Sequence, residues 1–313
     1  MSTPHSSAER STAAPAPPAY FDARAEFAYR FLSGEGLEIG GLHRPLPVPP
    51  SAHVRQVDRM TTAELAAAYD EDVAGKELAE VDLVDDGETL ATIAAGSQDF
   101  IVANHFLEHT GDPIGTIDNH LAKLKPGGVL FYAVPDKRWS FDFRREETSL
   151  EHLIRDHEEG PEVSRREHYD EWGLLVTGTE AERAEEAWPE KAEEIARTLE
   201  AEDYSVHTHV FTEASFLRLL LHCRERSGEG FEIEASARNG EEIVVVLRKA
   251  GAWPEPAAGL DTGPALAAEV AELRSENASL AAAARELERV KHSSSWRVTE
   301  PLRAAKARLG GRR

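Results

Sequence analysis

The run Asp99-Phe100-Ile101-Val102-Ala103-Asn104 limits the fold of this chain more than any other stretch. It is nearly all apolar, which is the pattern of a strand buried on both faces, as in the interior of a parallel sheet. Parallel neighbours need crossover connections, so helices must lie between this strand and its partners. The surrounding sequence supplies both.

Upstream, Tyr20 to Leu32 spaces Phe21, Phe27 and Phe31 at helical intervals, and Leu37–Gly40 reads as a first strand. Pro45, Pro47, Pro49 and Pro50 forbid regular structure after it. Val54–Asp58 alternates as a second strand and ends in a carboxylate. Thr61 or Thr62 can cap the helix that follows, with Glu64 placed for a capping box. Val81–Val84 is a third, weaker strand. Downstream, Ile114–Leu124 is helical, Lys125-Pro126-Gly127-Gly128 is expected to end it, and Val129–Val134 is a fifth strand. Strand and helix alternating in this way predict a doubly wound α/β sheet. Two β-rich runs around Arg238-Asn239-Gly240 add a terminal antiparallel hairpin, after a helix capped by Thr212. The sheet is therefore expected to have seven strands, mostly parallel.

Between Pro135 and Ser205 the pattern changes to polar helices rich in Glu, Arg and His, read as an insertion (136–205) over the strand ends. Residues 20–250 thus form the main domain, after a Ser/Ala/Pro-rich tail (1–19) expected to be disordered. A Pro/Gly/Ala linker (251–265) leads to Leu266, Leu273, Leu280 and Leu287, one every seven residues, with Asn277 among the alternate positions. That spacing over 266–291 predicts a short coiled coil and hence a homodimer. The tail 292–313 is basic, a candidate contact for a membrane surface or an acidic partner.

The formal net charge of −22 argues against non-specific nucleic-acid binding. Cys223 is the only cysteine, so neither an intramolecular disulfide nor a cysteine-based zinc site can form. With no membrane-length apolar run and no signal-peptide core, the expected location is the cytoplasm.

Five segments in this order resemble the class I, Rossmann-like S-adenosylmethionine-dependent methyltransferases of the type 11 kind. They are Leu37-Glu38-Ile39-Gly40, Val57-Asp58, Asp85-Asp86, Ser97 to His109 with its Leu107-Glu108-His109 ending, and Leu124-Lys125-Pro126-Gly127-Gly128. His209-Val210-Phe211-Thr212 and the terminal hairpin extend the resemblance, which covers about residues 25 to 249. It implies S-adenosylmethionine as cofactor. Asp58 is then expected at the ribose hydroxyls, Glu38, Gly40 and Gly41 at the amino-acid end, Asp85 or Asp86 at the adenine, and Asn104 and His105 facing the sulfonium. One departure stands out: where the family has Gly-x-Gly, this chain reads Gly40-Gly41-Leu42-His43-Arg44-Pro45.

Methyl transfer to a hydroxyl requires a base, and histidine suits neutral pH. His105 is the first candidate because it directly follows the fourth strand, and His209 is the second. His207-x-His209 also has metal-ligand spacing, but no third ligand is evident in the sequence, so no metal is expected. Asp136, Lys137, Arg138, Trp139 and His207 are the candidate acceptor-binding residues. His152, Asp156 and His157 share one helical face of the insertion, shortly before Arg165, Arg166, His168 and Tyr169. Together with a tail resembling those of bacterial glycan-assembly proteins, these residues suggest a sugar or glycan acceptor. The alternatives are a secondary-metabolite acceptor and a non-catalytic scaffold in glycan assembly. A nicotinamide dehydrogenase is disfavoured by the incomplete glycine motif and the terminal hairpin.

Overall fold

The computed structural model describes residues 22–68, 75–226 and 230–251. Among these, seven strands form one sheet in the order β3-β2-β1-β4-β5-β7-β6. The strands are β1 (Gly34–Ile39), β2 (Ala52–Asp58), β3 (Leu83–Val84), β4 (Gln98–Asn104), β5 (Leu124–Pro135), β6 (Phe231–Asn239) and β7 (Glu242–Lys249). Neighbours from β3 to β5 run parallel, while β7 is antiparallel to both β5 and β6.

Strand β4 shows why the sheet is covered on both sides. Ile101 and Ala103 pack into one apolar cluster and Phe100 and Val102 into the other. The first cluster is closed by α3 (Pro113–Lys123) through Ile114, Ile117 and Leu121. It is completed by α8 (Glu213–Arg226) through Phe216, Leu219, Leu220 and Cys223. The second is closed by α1 (Ala23–Phe31) through Ala23 and Ala28. The expected capping box at α2 (Thr62–Ala68) is present: Thr61 N–H donates to Glu64 Oε2 at 2.8 Å, and Glu64 N–H donates back to Thr61 Oγ1.

Three local expectations need correction. The third strand is only two residues long. The helix does end at this point, with Lys123 its last residue and Leu124 its C-cap, but Leu124 to Gly128 also opens β5, earlier than the expected Val129, with a register irregularity opposite Gln98 and Phe100. Gly127 takes φ +78° there, and Lys125 Nζ is held by both carboxylate oxygens of Asp99 at 2.8 Å. The hairpin turn also sits one residue later than Asn-Gly, on Gly240 and Glu241, with Asn239 still paired to Glu242.

The insertion between β5 and α8 contains α4 (Leu150–Glu159), α5 (Arg165–Leu175), α6 (Glu180–Arg183) and α7 (Trp188–Ala201). In the Glu-rich α7, Trp188, Ala192 and Ala196 are buried at four-residue spacing, leaving the acidic residues outside. Ala196 joins Tyr169 and Val206 in a small apolar cluster of the insertion's own. Arg145 anchors this region. Its guanidinium is fully buried, donating to Asp142 at 2.9 Å, to Glu171 at 2.8 Å and to the His207 carbonyl at 2.7 Å. The disordered tail, coiled coil and basic tail expected from the sequence lie outside the described residues.

Candidate active site

The carboxyl ends of β1, β2 and β4 and the insertion enclose a cleft of about 620 Å³. This is where an open parallel sheet takes its ligand, and the size is that of a small-molecule site. Its floor is formed by Gly40, Leu42, Asp58, Asp86, Gly87 and His105. Its roof carries Pro161, Glu162, Arg165, His168, Tyr169 and Tyr204.

The loop after β1 explains the missing glycine. Gly40 has φ +68°, and a Cβ there would point into open space, so the backbone is left bare to the cleft. Leu42 stands where the second glycine of a Gly-x-Gly motif would be, and it adopts φ +43°. The chain thus keeps the left-handed turn that glycine makes easy, at a cost of about 1–2 kcal/mol for a leucine. Glu38 holds this loop from beneath. It is buried, with Oε1 accepting from Leu46 N–H and Oε2 from Gln56 Nε2, both at 2.8 Å. Burial raises its pKa. Glu38 and Gly41 therefore brace the loop rather than line the cleft.

Asp58 ends β2 and lines the cleft. Burial raises its pKa, opposed by hydrogen bonds from the amides of Arg59 and Met60. Of the acidic pair after β3, Asp86 reaches the cleft while its Oδ1 caps the turn at Glu88 and Thr89. Asp85 is turned inward, accepting from Thr92 Oγ1 at 2.6 Å and Thr92 N–H at 2.9 Å. The turn is held by a residue the sequence did not single out. His120 Nε2–H donates to the Gly87 carbonyl at 2.7 Å, which obliges Nδ1 to accept from Tyr132 O–H at 2.9 Å. His120 is wholly buried, which depresses its pKa to about 4.

His105 lines the cleft but is poorly suited to act as a base. Nε2–H donates to Glu242 at 2.7 Å and Nδ1 faces Glu108 at 3.5 Å. Burial alone would lower its pKa, but the two carboxylates outweigh that and raise it to about 9. At neutral pH it is an imidazolium, with no lone pair to accept a proton. Its neighbour Asn104 does not line the cleft; both of its amide atoms are buried without a hydrogen-bond partner among the described residues.

His209 is also corrected as a base, because it is wholly buried behind the roof and burial holds it neutral well below the usual histidine range. The acceptor-binding expectations at 136–139 and 207 likewise fall outside the cleft. Asp136 is fully buried and gripped by Arg138 Nε at 2.8 Å, Trp139 lies beneath Arg238, and Lys137 joins the same short 3-10 turn. His207 donates from Nδ1 to Asp142 at 2.7 Å. None of these five lines the cleft, although His207 packs against His109, which does.

The histidine better suited to accept a proton is His109, which lines the cleft. Its Nδ1 lies 2.9 Å from the Val206 carbonyl, which can only accept, so Nδ1 carries the hydrogen and Nε2 keeps its lone pair. Burial lowers its pKa.

A family model described as a methyltransferase domain matches residues 15–222. No curated protein matches the chain. Among solved structures, the chain is similar to a SAM-dependent methyltransferase of Methanosarcina mazei. Identity is 18%, coverage is 71% of this chain and 95% of that one, and the TM-score is 0.39. It is also similar to a Rhodobacter sphaeroides protein titled a putative Zn-dependent alcohol dehydrogenase, at 14% identity, with 73% and 89% coverage and a TM-score of 0.43. A third similarity is to the CurJ carbon methyltransferase, at 13% identity and a TM-score of 0.35, covering 71% of this chain but only 50% of that one. With two thirds of its length matched by the family model and the sheet order in place, the chain belongs to the methyltransferase-domain family, whose methyl donor is S-adenosylmethionine.

Proposed function

We propose that this protein transfers a methyl group from S-adenosylmethionine to a hydroxyl or amine of a small acceptor held under the insertion. The observation that carries the reading is Asp58, a carboxylate at the end of β2 that faces the cleft beside a glycine-bared loop. The residues present fit the cofactor: Asp58 would accept from both ribose hydroxyls, Gly40 would admit close approach of the amino-acid end, and Asp86 would accept from the adenine amine, all three lining the cleft. When bound, S-adenosylmethionine supplies an electrophilic methyl group on a sulfonium.

The chain's own contribution is then orientation and proton removal. His109 Nε2 is the proton acceptor, taking the proton from the attacking hydroxyl, or from an acceptor ammonium so that the neutral amine can attack, with its tautomer fixed by the Val206 carbonyl. His105, held as a cation by Glu108 and Glu242, keeps the end of β4 in place. Arg165, Tyr169 and Tyr204 in the roof offer a cation and two rings to an acceptor; they support a hydroxylated or anionic ring such as a sugar. The heptads of 266–291 support a dimer, and the basic tail supports an acidic partner.

Transfer of labelled methyl to a panel of sugars, sugar phosphates and amines tests the reading. Turnover that falls about 10²-fold or more in His109→Gln, with cofactor binding unchanged, is the expected result. Cofactor binding without transfer to any acceptor would favour the non-catalytic scaffold.

A further inference from the structure

Behind the roof of the cleft, four side chains from three separate segments converge. His152 and Asp156 come from α4, His168 from α5, and His209 from the extended stretch before α8. One ligand atom from each lies within 4.8 Å of every other. His152 Nε2 is 3.0 Å from Asp156 Oδ2 and 3.3 Å from His168 Nε2. His168 Nε2 and His209 Nε2 are 3.7 and 3.9 Å from that same oxygen. Asp156, His168 and His209 are buried, and His152 is largely so.

Hydrogen bonding accounts for only part of this cluster: His168 Nε2 lies 3.2 Å from Ser164 Oγ, and His209 Nε2 lies 3.4 Å from the Gly111 carbonyl, at the outer limit of a hydrogen bond. Asp156 Oδ1 accepts from Ser164 Oγ at 2.7 Å, but Asp156 Oδ2, wholly buried, has no hydrogen-bond partner among the described residues. Although His152 Nε2 approaches it to 3.0 Å, the two are not aligned as donor and acceptor. His152 and His168 bring like nitrogens together at 3.3 Å. Atoms that crowd one another without pointing at one another share a common focus. In a tetrahedral zinc site with bonds of about 2.0–2.1 Å, neighbouring ligand atoms stand about 3.3 Å apart; four of the six pairs here span 3.0 to 3.9 Å, and all six lie within 4.8 Å.

We propose that His152, Asp156, His168 and His209 bind a divalent transition-metal ion of the zinc type. Three imidazoles and one carboxylate suit zinc over magnesium or calcium, which take oxygen ligands. Four protein ligands complete a tetrahedron with no position left for water, which is the form of a structural site. Ser164 fixes the ligating carboxylate from behind, the usual outer-shell support. The ion would pin α4 and α5 to the segment leading into α8, and so hold in place the roof that presents Arg165 and Tyr169. In the sequence, metal-ligand spacing is evident only at His207-x-His209, while His152, Asp156 and His168 read as part of an acceptor face; the fold brings His209 to these three, more than 40 residues away.

The test uses the full-length, untagged protein. Metal analysis after purification is expected to give one zinc per chain, and chelation is expected to lower the Tm. Cobalt(II) added to the chelated protein should produce the intense visible absorption of a tetrahedral site. His152→Ala, at the least buried ligand, should abolish that band, and Ser164→Ala should weaken cobalt affinity by about 10- to 100-fold. Substitution of the exposed His53 by Ala should change nothing. Folded, chelated wild type that gives only the weak spectrum of hydrated cobalt and no rise in Tm would overturn the proposal. So would a tetrahedral band that survives His152→Ala but is lost in His109→Gln, since the ion would then belong to the neighbouring Glu108, His109 and His207 group.

Discussion

His105 Nε2 donates to the Glu242 carboxylate across 2.7 Å, tying the end of β4 to the first residue of β7, two strands away in the sheet. Arg24 of α1 grips the same carboxylate, with Nε at 2.6 Å, so a helix, a parallel strand and the antiparallel hairpin meet at one ion cluster beside the cleft.

That cluster makes stability depend on pH in a defined direction. The pKa of His105 is raised from 6.5 to about 9, so its contribution is full below pH 6.5 and is lost as pH rises through 9. Despite the cost of burial, Glu242 is lowered to about 2 by His105 and Arg24, so its contribution is present above 4.5 and lost as pH falls towards 2. The Tm difference between wild type and His105→Gln is expected to be largest near pH 6 and to shrink between pH 7 and 9.5 in a pH series of melts.

Arg145→Leu should destabilise the chain by about 3–5 kcal/mol in denaturant unfolding, because it leaves the buried Asp142 with His207 and the Ser140 hydroxyl but no guanidinium. Arg145→Lys should recover little of the loss. A single ammonium cannot reach Asp142, Glu171 and the carbonyls of His207 and Thr208 together.

His120→Leu should cost about 2–3 kcal/mol by stranding the Tyr132 hydroxyl and the Gly87 carbonyl. Adding Tyr132→Phe should return part of that cost, so a double-mutant cycle should be non-additive. The wild-type contribution is expected to fade as pH drops from 6.5 to about 4, because the unfolded chain binds a proton that the buried imidazole refuses.

Gly40→Ala should weaken S-adenosylmethionine binding more than it weakens the fold. The φ of +68° costs an alanine about 1–2 kcal/mol, while the new methyl group points into the cleft. Comparing the shift in Tm with the shift in Kd separates the two effects.

The strands and their partners were legible because alternation and capping are local: Thr61 and Glu64 read as a capping box and form one. Asp58 was legible for the same reason, as a carboxylate closing a strand. What the sequence hid depends on distant contacts. His105 follows a strand as a base might, yet Glu242, far along the chain, converts it to a cation. Asp136 is turned inward by Arg138 and by the backbone bridge to Phe211. Lys125 to Gly128 follows a helix end, as its residues suggest, but the pairing of Leu124 and Val129 with β4 on either side also makes that stretch the start of β5. Neither Arg145 nor His120 sits in a motif; only the buried groups around them give either a role.

Calorimetric titration of S-adenosylmethionine and its demethylated product into the purified protein tests the central claim most directly. Wild type should bind with micromolar affinity, and Asp58→Ala should lose about 2–3 kcal/mol, a factor of roughly 100 in Kd, with an unchanged melting profile. A folded wild-type protein that takes up neither compound would contradict the assignment of the cleft as a methyl-donor site.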